Sequence, residues 1–188
     1  MQDRLETIHE SKPDADLKYK WVDYLKISNN LKRAVIASED AKFNHHEGFD
    51  WEGIELAFDK NLKKGKIVAG GSTISQQLAK NLFLSGKRTP WRKIEEAIIT
   101  VMIEKMLSKQ RILEIYLNVI EWGNGIFGAE AASRHYFKVS AAKLSATQAA
   151  KLAAMVPNPR FYDKHRSTHY LNRRTATIQA RMRLVELP

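Results

Sequence analysis

Three polar clusters in this chain carry residue types that could do chemistry: Glu39-Asp40 with His46, the run Ser72-Thr73-Ile74-Ser75-Gln76-Gln77-Leu78-Ala79-Lys80, and Arg92-Lys93 with Glu96. A carboxylate beside an attacking hydroxyl takes up its proton, an effect commonly worth about 10² to 10⁴ in rate. Cations and helix N–H groups hold a departing phosphate and offset its growing charge. Together the clusters suit transfer of an alcohol onto a centre that loses a phosphate. A divalent metal ion could share the phosphate work through carboxylate oxygens. His45 and His46 are adjacent and point different ways, so they make a poor metal pair and are read as structural hydrogen-bonding groups. No dinucleotide fingerprint, P-loop, HExxH or GxSxG is present. With no cysteine, thiolate chemistry and disulfides are excluded.

Each cluster lies where local structure alone explains it poorly. Gly70-Gly71 leads into a helix over 72–84, with Ser72 or Thr73 as N-cap and N–H groups suited to an anion. Lys80 follows Gln76 by four residues, on one face, and Gln77 lies about 100° round. Glu39-Asp40 falls in a helix expected over 31–43, with Leu31, Ala34 and Val35 on its inner face. Two carboxylates near a helix C-terminus oppose the macrodipole, a misfit that hints at function. Arg92 and Lys93 open a helix over 90–107, capped by Thr89 with Pro90 at its first position, and so are expected to face something anionic. The plain alternative is an Arg92–Glu96 pair, worth a few tenths of a kcal/mol, roughly. Ile94, Ala97, Ile98, Val101 and Met102 are the expected buried stripe of that helix.

The remaining elements frame these. Residues 1–28 read as a docking arm of low regularity. Asp50 caps a helix over 51–62, and residues 60–71, rich in lysine and glycine, read as a mobile basic flap hinged at Gly70-Gly71. Ser108 caps 109–119, glycines at 123, 125 and 128 form a joint, and 129–137 is a small-residue helix. Ser145-Ala146-Thr147-Gln148 is a capping box for a helix to Met155, which Pro157-Asn158-Pro159 stops. Residues 162–184 read as one basic helix with Arg166, Arg173, Arg174, Arg181 and Arg183. No strand ladder is expected, and the architecture is mainly α.

At 188 residues with 44% hydrophobic content, the chain can bury one core. A net charge of +10 and a pI of about 9.7 favour a polyanionic partner such as nucleic acid, an anionic membrane or a phosphorylated substrate. The longest strongly apolar run, 97–103, is far short of a membrane span, and residues 1–10 lack the character of a signal peptide.

Glu39-Asp40-x-x-Phe43-x-x-His46-x-Gly48 resembles the first signature of the family 51 peptidoglycan glycosyltransferases. Gly71-Ser72-Thr73-Ile74-x-Gln76-Gln77-x-x-Lys80 is similar to the second, Arg92-Lys93-x-x-Glu96 to the third, and Lys109-x-x-Ile112-Leu113-Glu114-x-Tyr116-Leu117-Asn118 to the fourth. All four stand in family order, and 125–159 also looks like the family. With no penicillin-binding domain, the chain resembles the monofunctional form. The resemblance implies a lysozyme-like α-helical fold with a large lobe and a smaller membrane-proximal lobe, residues 29–188 forming the glycosyltransferase domain and 1–28 an arm that follows a membrane anchor.

The resemblance further implies polymerisation of lipid II into β-1,4 glycan with inversion and release of polyprenyl pyrophosphate, at the outer face of a bacterial inner membrane. Other cell-wall synthases would be possible partners. By the same matching, Glu39 would be the base, supported by Asp40. Glu96 would serve the donor pyrophosphate, through a divalent ion such as Mg or Mn. Lys80, Arg92 and Lys93 would contact phosphate, one of them holding Glu96 instead, while Thr73, Gln76 and Gln77 would line the cleft. For Ser72, Asn81, Glu114 and Asn118, structural and contact roles stay equally open. Some bifunctional relatives carry a lysine after the helix ending here at Met155-Val156; this chain has Pro157-Asn158-Pro159, and Arg160 is the candidate replacement.

Two rival readings exist. A lysozyme-like glycan-cleaving enzyme also uses a Glu in a helical cleft but has no need of a pyrophosphate site. A basic helical nucleic-acid module accounts for the charge but leaves Glu39, Asp40 and Gln76-Gln77 unexplained. Specific nucleic-acid binding is therefore not expected, and the basic flap and tail are assigned to anionic lipid headgroups.

Overall fold

The computed structural model describes residues 17–66, 70–84 and 90–188. In chain order these form β1 (Lys18–Tyr19), a 3₁₀ turn (Tyr24–Lys26), α1 (Asn29–Glu39), a 3₁₀ turn (Phe43–His45), α2 (Trp51–Lys64), α3 (Ile74–Phe83), α4 (Pro90–Met106) and α5 (Lys109–Val119). Then follow β2 (Glu121–Gly123), β3 (Ile126–Phe127), α6 (Ala129–Phe137), α7 (Ala146–Met155), α8 (Pro159–Lys164) and α9 (His169–Arg181). The fold is mainly α, as expected.

Side-chain caps start most helices: Ser28 for α1, Asp50 for α2, Thr73 for α3, Ser108 for α5, Ser145 for α7 and Thr168 for α9 each accept a backbone N–H of the first turn. Each cap is worth about 1 kcal/mol. Thr73, not Ser72, caps α3, in a full capping box with Gln76. The expected Thr89 cap of α4 and the Ser85-Gly86 stop of α3 lie outside the described residues.

Several expected boundaries move. The helix expected over 31–43 ends at Glu39, because Asp40 turns to φ −161° and ψ 73°. The helix after Asp50 runs on to Lys64, and Gly65 in the left-handed region ends it. Lys60 and Lys63-Lys64 are therefore helical, the latter two at a C-terminus where the macrodipole favours cations. Of the expected flap, 67–69 lie outside the described residues. The single basic helix over 162–184 is two helices, since Pro159 begins α8 at a position that suits its fixed φ and Thr168 caps a fresh start for α9. A small sheet is present where none was expected. It has order β1-β3-β2, with β1 parallel to β3 (Lys18 opposite Ile126) and β2 antiparallel to it. Strands of two or three residues are too short to show an alternating pattern.

One core joins α1, α3, α5, α6, α7 and α9. Leu31, Ile36, Phe43, Ile74, Leu78, Tyr116, Trp122 and Leu152 are fully buried within it. Ala149, Ala150, Ala153 and Ala154 of α7 are buried too, and this small-residue surface lets α7 pack closely on α1 and α9. Outside this core the packing is thinner. From α2 only Ala57 is buried. On α4 the inner stripe is Glu96, Thr100 and Ile103, at spacings of four and three, where α4 meets α3. The stripe expected to be buried is turned out: Ile94, Ile98, Val101 and Met102 are exposed, at 39–57%. The inward polar groups are satisfied locally, Thr100 Oγ1 donating to the Glu96 carbonyl at 2.6 Å and Lys93 pairing with the Glu96 carboxylate. No helix among the described residues is long and apolar enough to cross a membrane.

The chain from residue 17 to 28 lies against α5. Val22 N–H donates to Asn118 Oδ1 and Asn118 Nδ2 donates to the Val22 carbonyl, both at 2.9 Å. Tyr24 N–H donates to Glu114 Oε1 at 2.8 Å. Buried Lys32 donates to the Tyr24 carbonyl at 3.1 Å and lies over the Tyr24 ring. Glu114 and Asn118 thus hold the arm, which decides for them between the two roles left open by the sequence.

Candidate active site

Glu39 is the last residue of α1, and its carboxylate is gripped from three elements. Ser38 Oγ donates to Oε1 at 2.9 Å, Gln77 Nε2 of α3 donates to Oε2 at 3.3 Å, and Arg174 Nη2 of α9 lies 3.5 Å from Oε1. Its side chain is 11% exposed. What remains open faces a pocket of about 150 Å³ walled by 37–41, Asp50, Gly53 and 70–73.

The orientation of Gln77 follows from the chemistry of its neighbours. An ionised carboxylate only accepts, so the amide nitrogen must face Glu39 and Oε1 must face away. There it accepts from the Tyr116 hydroxyl of α5 at 2.8 Å. Burial, and next the charges of Glu39 and Asp40, push the Tyr116 hydroxyl well above its ordinary titration range, so it stays a donor.

Asp40 does a different job from Glu39. Its side chain is 1% exposed. Oδ2 accepts from Ile74 N–H at 2.9 Å, and His46 Nε2 lies 2.9 and 3.0 Å from its two oxygens. Gly48 N–H donates to His46 Nδ1 at 3.1 Å, so the imidazole is the neutral Nε2–H tautomer and donates to Asp40. The carboxylate therefore sits at the N-terminus of α3, where the dipole favours it, although it follows the C-terminus of α1. This resolves the misfit for Asp40, while Glu39 remains at the C-terminus of α1. The Asp40 carboxylate also occupies part of the α3 start, where the sequence suggested N–H groups suited to an anion. Ile74 N–H is taken by Asp40, Thr73 N–H by Gln76 Oε1 and Gln76 N–H by Thr73 Oγ1.

Thr73 and Gln76 are buried, and the Thr73 hydroxyl also donates to the Gly48 carbonyl at 2.7 Å. They brace the cleft wall, and Thr73 borders the pocket. Of the two glycines, Gly71 is needed for close approach: a Cβ there would lie 3.0 Å from the Ile54 Cα. Lys80 is half-buried on α3 and forms no ion pair among the described residues. Arg92 is half-buried on the first turn of α4. Lys93 is the residue that holds Glu96, whose side chain is 6% exposed. The structure thus brings Glu39, Asp40 and Thr73 to one pocket wall, with Gln77 bonded to Glu39 behind it. Arg92, Lys93 and Glu96 do not line this pocket; they lie on α4, which packs against α3. Arg160 is engaged with Glu121 through Nε and Nη2 at 3.0 and 2.8 Å. No group of three or more His, Asp or Glu side chains able to cage a metal ion occurs among the described residues.

Two site residues went unrecognised in the sequence. Arg174 was counted with the basic tail but is turned inward. The signal was available: Leu171, Arg174, Thr175 and Ile178 fall at the spacing of one helix face, and three of them are buried. Ser38 had no distinguishing pattern.

A carboxylate set in a cleft by three elements, beside an amide-bearing helix, is what a proton-removing centre requires. Residues 4–183 match the family model described as Transglycosylase. The chain is 70% identical over 188 residues to the biosynthetic peptidoglycan transglycosylase of Chromobacterium violaceum, covering 100% of this chain and 82% of that protein. Proteins of the same name from Laribacter hongkongensis and Methylobacillus flagellatus are each 66% identical over the same shares. With a family match across nearly its whole length and relatives this close, the chain belongs to the transglycosylase family.

Proposed function

We propose that this peptidoglycan glycosyltransferase polymerises lipid II, the growing lipid-linked glycan being the donor and the next lipid II the acceptor. The observation that carries the reading is Glu39, held by Ser38, Gln77 and Arg174 with its open side to the pocket. In the step, the 4-hydroxyl of the acceptor N-acetylglucosamine forms a bond to the donor's anomeric carbon. Its proton passes to the Glu39 carboxylate. The bond to the pyrophosphate oxygen breaks, and polyprenyl pyrophosphate leaves with the electron pair. Attack opposite the leaving group inverts the centre and gives a β-1,4 link. Lys80, Arg92 and Lys93 offset the charge of the leaving group.

A divalent ion, Mg or Mn, fits only in the manner of a phosphate-bound ion, with one protein carboxylate and the other ligands from phosphate and water. Glu96, freed from Lys93, would supply that carboxylate. Such an ion would neutralise charge on the departing pyrophosphate. The enzyme works at the outer face of the bacterial inner membrane. The exposed side chains of α4, with the lysines of α2, meet an anionic lipid surface and bring the cleft to its lipid-linked substrates, where other cell-wall synthases also act.

The test is polymerisation of labelled lipid II by wild type and Glu39→Gln. Polymer from the wild type and a loss of about 10² or more in the variant are expected. Near wild-type turnover by Glu39→Gln would remove it from the base role. Fragments released from finished glycan, with no polymer from lipid II, would favour a cleaving enzyme instead.

A further inference from the structure

Among the arginines of 162–184, Arg174 alone is turned inward; Arg166, Arg173, Arg181 and Arg183 are exposed. It shares the inner face of α9 with Leu171, Thr175 and Ile178, where α9 packs against α1 and α7. Its Nη2 donates to Ser38 Oγ at 3.0 Å and lies 3.5 Å from Glu39 Oε1. A guanidinium has no acceptor, so the serine oxygen must accept from it, and the serine's one proton is left to donate. Two acceptors are within reach of that proton, Glu39 Oε1 at 2.9 Å and the Ala153 carbonyl at 3.5 Å, and the closer one is Glu39.

We propose that Arg174, acting through Ser38, is a positioning residue that fixes the Glu39 carboxylate for proton removal; the proposal rests on the reading of Glu39 as the base. The direct Arg174–Glu39 contact is long, and the route through Ser38 is made of two ordinary hydrogen bonds, so the serine route carries the restraint. Ser38 holds Oε1 from one side and Gln77 holds Oε2 from the other. A carboxylate pinned at both oxygens keeps its remaining lone pairs directed at the pocket, which is the geometric demand on a general base.

The experiment is steady-state polymerisation of labelled lipid II by wild type, Arg174→Met, Arg174→Lys, Ser38→Ala, the Ser38→Ala/Arg174→Met double variant and Glu39→Gln, with thermal unfolding of each. Arg174→Met keeps the apolar stem, and kcat is expected to fall about tenfold or more with KM within about twofold. Ser38→Ala is expected to do the same, and the double variant to be no slower than Arg174→Met, because both act on one route. Arg174→Lys is expected to recover part of the loss. Wild-type kcat in Arg174→Met or Ser38→Ala, a rise in KM at unchanged kcat, or additive losses in the double variant would overturn the proposal. Should Arg174→Met fail to fold, Ser38→Ala decides alone by the same criterion. An inactive Glu39→Gln beside a normal Arg174→Met defeats only this proposal, whereas an active Glu39→Gln defeats the base reading itself.

Discussion

At Glu39 the structure holds a carboxylate still and leaves part of it open to the pocket, as the base role proposed for it requires. Each donor that restrains it comes from a side chain with a second anchor. Gln77 shows this well, since the Tyr116 hydroxyl donates to its amide oxygen at 2.8 Å, the shorter of its two further anchors, with the Ser72 carbonyl 3.5 Å from Nε2. Removing that hydroxyl should let the amide turn and present its oxygen to Glu39, replacing a donor with a repulsive lone pair. Tyr116→Phe is therefore expected to lower kcat about tenfold with little change in KM. It should also cost roughly 1–3 kcal/mol of stability, because the ring is fully buried and Gln77 Oε1 loses its donor. Polymerisation kinetics and urea unfolding check the two parts, and wild-type kcat would show that Gln77 needs no such anchor. Asp40, by contrast, is held by a helix start and a neutral imidazole and is closed to solvent. Two adjacent carboxylates thus divide into one that faces the pocket and one that locks the wall.

At the scale of elements, α5 links the site to the arm. Tyr116 looks toward Gln77, while Glu114 and Asn118 bind the backbone at Tyr24 and Val22. Asn118→Ala should leave the Val22 N–H and carbonyl unpaired, speed hydrogen exchange around Val22 and lower stability by about 1–3 kcal/mol. Unchanged exchange there would mean that the sheet holds the arm without Asn118. A second tie is His135 on α6, with Lys18 of β1 on Nδ1 at 3.2 Å and Asp163 3.5 Å from Nε2, and with Arg166 and Lys138 close by. Burial, then Lys18, holds the His135 pKa below its ordinary 6.5. The unfolded chain binds the proton more readily, so this contribution is complete above about pH 6.5 and is lost as pH falls toward the lower folded value. Urea midpoints at about pH 7.5 and about pH 5 should differ more in wild type than in His135→Gln. Equal pH dependence in the two would dismiss the histidine. These elements also show what could be read in advance. Caps at Asp50, Ser108 and Ser145 were legible because capping is local chemistry. So were Glu39 and Gln77, which lie in contiguous motifs. The Arg174–Glu39 contact spans 135 residues and the Val22–Asn118 bond 96, and no local pattern encodes which distant side chain an inward residue will meet. The stripe of α4 failed for a related reason: apolar residues there occupy a wide arc, and hydrophobicity does not tell an inner face from an outer one when polar groups find partners inside.

For the whole molecule, that reversed helix gives the distribution of surface chemistry its meaning. A protein of +10 net charge exposes Ile94, Ile98, Val101, Met102 and Met106 along α4, with Leu82 and Phe83 at the end of α3. Phe83, Ile99, Met102, Ile103, Met106 and Leu107 line an open groove of about 300 Å³ without a polar side chain among them. On α2, exposed Leu56, Phe58 and Leu62 stand beside Lys60, Lys63 and Lys64. Clustered apolar exposure of this kind marks an interaction surface, and a surface that also carries lysines suits anionic lipid. Each large apolar side chain that leaves water contributes about 1.5–3 kcal/mol, against about 1 kcal/mol for each lysine near a charged leaflet. The apolar term should therefore dominate, and binding to vesicles containing phosphatidylglycerol should weaken with salt but persist. Met102→Asp removes one such side chain and adds a charge, so vesicle affinity should fall about tenfold or more, since tenfold corresponds to about 1.4 kcal/mol. Because Met102 is 53% exposed, its replacement should leave the unfolding midpoint nearly unchanged. Lipid II polymerisation in detergent should survive while polymerisation in vesicles falls with binding. Undiminished vesicle binding by Met102→Asp would separate this groove from the membrane, and complete loss of wild-type binding in high salt would mean that the lysines alone bring the enzyme to its lipid-linked substrate.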